Sequence, residues 1–117
     1  MKSSVEKELG FAKGMMDRRE HVRANLRNAV TRSQAVGNYK SLLRCLMEVQ
    51  KHHNNITKAI TNDTAGYAHE SSLLLDSARK WVDQARIVAM ERGATARELS
   101  EVDRAVNDTA MVGVQWR

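Results

Sequence analysis

Cys45, Glu48, His52 and His53 are the chain's densest grouping of residues that can act as nucleophile, acid or base, or metal ligand. A thiol and an imidazole work as nucleophile and base only when their atoms lie within about 3.2 Å. Seven residues along a helix put Cys45 and His52 two turns, about 10 Å, apart, so Cys45 reads as a small buried residue. Glu48 and His52 are one turn apart and offer two metal ligands, whereas zinc sites take three or four, and His53 points about 100° away. The sequence holds no Glu-x-x-His pair of the di-iron kind, no Gly-rich phosphate loop, no His-Glu-x-x-His and no Gly-x-Ser-x-Gly. The chain is expected to be a non-enzyme with no cofactor and no metal. His53 instead suits a polar position in a packed seam, where it fixes register.

Binding chemistry is better represented. Residues 13–58 carry ten Lys or Arg against three acids, a net +7, while residues 59–117 carry a net −2 and residues 1–12 balance at zero. The whole formal charge of +5 therefore comes from one segment. A local positive field of this kind attracts phosphate backbones, acidic protein surfaces or anionic membranes. Arg19, Arg23 and Arg27 recur every four residues, so on one helix they line a face at about 6 Å per step. Arginine's planar fork suits bidentate phosphate contact. Arg44, Lys51 and Lys58 recur every seven residues on a second helix, with Lys40 and His52 nearby in projection. The six cations form the candidate nucleic-acid site. With five aromatics in the chain, no zinc-finger spacing and no Gly-x-x-Gly clamp, contact with a duplex backbone is expected over base reading.

The elements that must position these rows are helical. The chain has no Pro and is rich in Ala, Leu, Met, Arg and Glu, all good helix formers. Ser3 and Glu6 have capping-box spacing, which predicts a helix from about 3 to 34. Ala35-Val36-Gly37-Asn38 predicts the turn of an antiparallel hairpin, with Gly37 as the left-handed residue and Asn38 capping a second helix over about 39–60. In that helix Leu42, Leu46, Val49, His53, Ile56 and Ile60 alternate steps of three and four, the spacing of a bundle or oligomer seam. The turn formers of 61–66 predict a boundary before a third helix over about 66–92, and Gly93 ends it. Thr95 and Glu98 form a second capping box for a fourth helix over about 95–111. The expected fold is a single all-α domain, a four-helix bundle built on a long antiparallel hairpin. A first helix of some 30 residues needs its apolar stripe covered, which predicts a homo-oligomer.

The lone Cys45 cannot form an internal disulfide, and the start MKSSVEKELG has no apolar signal region, so a reducing, cytoplasmic location is expected. No apolar run reaches the roughly 18 residues of a membrane span. His69-Glu70-Ser71-Ser72-Leu73 faintly resembles the start of the phosphoacceptor helix of dimeric histidine kinases but lacks the following proline and basic residue. The stretch from Arg32 to Arg44, through Gly37-Asn38-Tyr39, resembles the helical hairpin of phage terminase small subunits. That resemblance implies a ring-forming viral protein that binds packaging-site DNA. A rival class of function is a regulator or assembly subunit that docks an acidic partner, with Trp81 or Trp116 as hydrophobic anchor.

Overall fold

A computed structural model describes the backbone of residues 3–115 and the side chains of residues 3–109. Ser3 caps α1 (Ser4–Ala24), its Oγ accepting from the Glu6 N–H at 3.1 Å. The buried residues of α1 are Val5, Leu9, Ala12 and Met16, a three-and-four spacing that stops before the Asp17–His21 charge cluster.

The first helix ends ten residues earlier than the sequence predicts, and this is the main correction to the expected architecture. At Asn25 the backbone N–H reaches the His21 and Val22 carbonyls, and the side-chain amide donates to His21 O at 2.7 Å, which satisfies orphan carbonyls at the helix end. A short 3-10 turn, Leu26–Asn28, follows and buries Leu26. Arg92, far along the chain, donates from Nε to Ala29 O at 2.8 Å and from Nη2 to Arg27 O at 3.3 Å. The break is thus held by a tertiary contact that no local pattern announces. Thr31 then caps α2 (Arg32–Lys58): Thr31 Oγ1 accepts from the Gln34 N–H, and Gln34 Oε1 accepts from the Thr31 N–H. Residues 35–38 are consequently interior to α2. Gly37 is helical, and the hairpin turn placed there does not exist, which also removes the feature on which the terminase resemblance rested.

After a turn at Asn62–Thr64, α3 (Ala65–Glu91) returns along α2. Gly93, at φ +100°, ends α3, with its N–H reaching Met90 O at 3.1 Å and that of Ala94 reaching Ala89 O at 3.0 Å. This is the two-bond stop that glycine at the left-handed position makes cheap. The predicted cap at Thr95 forms, accepting from the Glu98 N–H at 3.0 Å, and starts α4 (Ala96–Gln115).

Packing is continuous along the α2–α3 pair. Val5 and Leu9 of α1 meet Ile56, Met16 meets Cys45 and Val49, and Leu26 joins Leu42, Tyr39 and Ala35 with Val82, Ala85 and Leu99. α1 therefore runs antiparallel to α2 and covers its C-terminal half, while α4 crosses the other half through Leu99 and Val102. The result is an all-helical body of 48 × 31 × 19 Å. No described helix is long and apolar enough to cross a membrane.

Candidate nucleic-acid interface

The buried face of α2 is Ala35, Tyr39, Leu42, Cys45, Val49, His52 and Ile56. Of the expected seam, Leu42, Val49 and Ile56 are fully buried, and Leu46 and His53 are half-buried toward α3. Ile60 lies beyond the end of α2 and is 48 % exposed. The seam turns slightly toward α1, which makes His52 rather than His53 the deeper histidine. His52 Nδ1 is 2.5 Å from Glu8 Oε2 and its Nε2 3.9 Å from Glu48 Oε2, with the Phe11 ring 5.5 Å away. His53 Nδ1 bonds Ser71 Oγ at 2.6 Å, the polar core contact its seam position predicts. No group of three or more metal-ligating side chains occurs among the described residues. Cys45 is buried against Met16, and burial pushes its thiol pKa up, against a smaller opposing pull from the Arg19 charge.

The row expected over Arg19, Arg23 and Arg27 does not form. Arg19 is half-buried beside Cys45. Arg23 pairs with Glu20 and lays its guanidinium 5.6 Å from the Trp81 ring centre, in cation–π geometry. Arg27 falls in the 3-10 turn after α1 and pairs with Glu91 at 3.0 Å. Lys13 and Arg32 are likewise paired, with Glu70 at 3.2 Å and Glu98 at 3.5 Å.

What remains of the basic segment is concentrated on α2. Lys40, Arg44, Lys51 and Lys58 are exposed, and none pairs with a carboxylate among the described residues. Their helical positions fall within an arc of roughly 40°, opposite Leu42 and Val49, and cover about 27 Å of helix. Arg18 on α1 is also exposed and unpaired among the described residues. Glu48, the only acid on α2, stands one turn from Arg44 and from Lys51 at the edge of this row, its carboxylate 3.9 Å from His52 Nε2. α1 and α3 flank α2, so the row is presented on a broad surface and not on a protruding helix.

Where α1 gives way to α2, about a third of a turn round α2 from the row, an open cleft of about 340 Å³ is lined by His21, Val22, Asn25, Asn28, Ala29, Gln34 and Asn38. Its side chains are organised by the break itself. Asn28 Nδ2 donates to Asn25 Oδ1 at 2.9 Å, and Gln34 Oε1 accepts from the Val30 and Thr31 N–H groups at 3.0 and 3.3 Å. The sequence reading passed over these amides. Their signal was available in Thr31-x-x-Gln34, a capping-box spacing of the same type as the two that were used. Comparison of the chain with protein-family models, with curated proteins and with solved structures finds no match.

Proposed function

We propose that the chain is a non-enzymatic nucleic-acid-binding accessory protein that contacts a duplex phosphate backbone along the outer face of α2. The observation that supports this most is the sorting of cations. Lys13, Arg23, Arg27 and Arg32 are tied to Glu70, Glu20, Glu91 and Glu98, whereas Lys40, Arg44, Lys51 and Lys58 share one face with no carboxylate partner among the described residues. A face that only needed to be soluble would mix signs. Contact would be to phosphates, because the outer row of α2 is made of Lys and Arg side chains.

The test is fluorescence anisotropy on a labelled duplex of about 20 base pairs at low salt. Lys40, Arg44, Lys51 and Lys58 changed together to Gln should abolish binding. Changing Arg79, Lys80, Arg97 and Arg104 to Gln removes the same charge from α3 and α4 and should leave most of it. Equal losses would reduce the effect to net charge, and no binding by the wild-type chain would favour the rival reading, an acidic protein partner. Of the anchors expected for that rival, Trp81 is partly buried against the core and Trp116 lies outside the described residues, so its support is the apolar side chains of Leu73, Ile87 and Met90, exposed on α3. The homo-oligomer was expected from a first helix of some 30 residues; α1 ends at Ala24 with Val5, Leu9, Ala12 and Met16 buried within one chain, so self-association would use that same α3 surface, and light scattering reports the state.

A further inference from the structure

The cleft between α1 and α2 has a chemistry distinct from the basic row, and nothing in the fold uses its free ends. Asn25 and Asn28 are linked to each other and to His21 O, which fixes their orientation. Gln34 gives its carbonyl oxygen to two backbone N–H groups, so its Nε2 is the end left to donate. Asn38 is half-buried on α2 and has no hydrogen-bond partner for either end of its amide among the described residues. A side-chain amide presents a donor and an acceptor about as far apart as those on the edge of adenine, and Asn and Gln make bidentate pairs with adenine N6 and N7. The exposed His21 ring supplies an aromatic surface on which a base can stack. At about 340 Å³ the cleft is at the small end of ligand sites and open on one side, suited to a single planar group. It contains no carboxylate and no Lys or Arg, so neither a free phosphate nor an ammonium group is what it recognises.

Arg18 lies one turn before His21 and Val22 on α1, and Arg44 lies about 9 Å further along α2 from Asn38 and about 120° round the helix. A nucleotide that leaves a duplex held on the α2 row would have to reach round α2 to enter the cleft.

We propose that this amide-lined cleft binds an unpaired nucleobase, with adenine as the best fit, through the Asn38 amide and Gln34 Nε2. The inference deepens the reading of α2 as a phosphate-contacting face and rests on it. Unstacking cost is smallest for a base that is already unpaired, which makes a bulge or mismatch the matching substrate.

The experiment compares three labelled duplexes of one sequence: fully paired, with one unpaired adenine, and with one unpaired thymine. Adenosine monophosphate alone is titrated in parallel by NMR. The unpaired-adenine duplex should bind about tenfold more tightly than the paired one. Asn38→Ala should remove that preference and leave the paired duplex unaffected, with circular dichroism confirming an unchanged helix content. Equal affinity for paired and bulged duplexes, or a preference that survives Asn38→Ala, overturns the cleft assignment and leaves the α2 reading standing. An adenine-bulge or nucleotide signal lost in Asn38→Ala, without any binding of the paired duplex, supports the cleft and overturns the α2 reading. Absence of binding to every probe overturns both.

Discussion

Tyr39 shows how a single side chain ties α4 to the rest. It is 2 % exposed and its hydroxyl donates to Asp103. Burial first, then that hydrogen bond, pushes its pKa from 10.0 up to about 12. The folded state thus holds the phenol proton more tightly than the unfolded chain does. The stability this provides is complete below pH 10 and is lost as pH rises toward 12, on the order of 3 kcal/mol in total. Denaturant melts at a series of alkaline pH values should show this slope, and Tyr39→Phe should flatten it while costing about 1–3 kcal/mol at neutral pH. Cys45 gives a second residue-level prediction. Buried at 1 % exposure with a raised pKa, it should react with a thiol reagent far more slowly in the native protein than in denaturant. Fast native labelling would place it on the surface. The sequence anticipated this residue correctly as a buried side chain, because it lies on the apolar face of a helix with no base within reach.

At the scale of elements, two glycines carry opposite expectations. Gly37 sits inside α2 with nothing within 4 Å of an added Cβ and no positive φ, so Gly37→Ala should stabilise the protein by about 1 kcal/mol. Gly93 at φ +100° stops α3, so Gly93→Ala should destabilise it by about 1–2 kcal/mol. Thermal melts of the two variants test the corrected architecture directly: if residues 35–38 formed a turn, Gly37→Ala would be the damaging one. The helical class, the caps at Ser3 and Thr95 and the stop at Gly93 were legible because each depends on residues within four positions of one another. The break after Ala24 was not. It has neither Gly nor Pro, and it is held by Arg92 and by the burial of Leu26 and Ala29 against distant partners. Without it the glycine at 37 appeared to be the strongest turn signal, and Arg27 was assigned to a helix it does not belong to.

For the whole molecule, the net +7 of residues 13–58 is a property of the sequence, but its distribution is a property of the fold. Folding brings Glu70, Glu91 and Glu98 from the acidic half onto Lys13, Arg27 and Arg32, which no reading of local charge could foresee. The α2 row stays unpaired because the neighbours of α2 pack on its other faces. That Lys51 and Lys58 share a face follows from heptad spacing alone; of the cleft amides Gln34 carries a local signal in its capping-box spacing from Thr31, while its meeting with Asn25, Asn28 and Asn38 depends on the chain break.

The most direct test of the α2 reading is the salt dependence of duplex binding. Four phosphates neutralised by Lys40, Arg44, Lys51 and Lys58 imply that log K falls with log salt at a slope of about −3.6, roughly a hundredfold loss between about 50 and 200 mM. Lys51→Gln should bring the slope closer to zero by about 1. A slope near zero, or one that Lys51→Gln leaves unchanged, would contradict the assignment of that face.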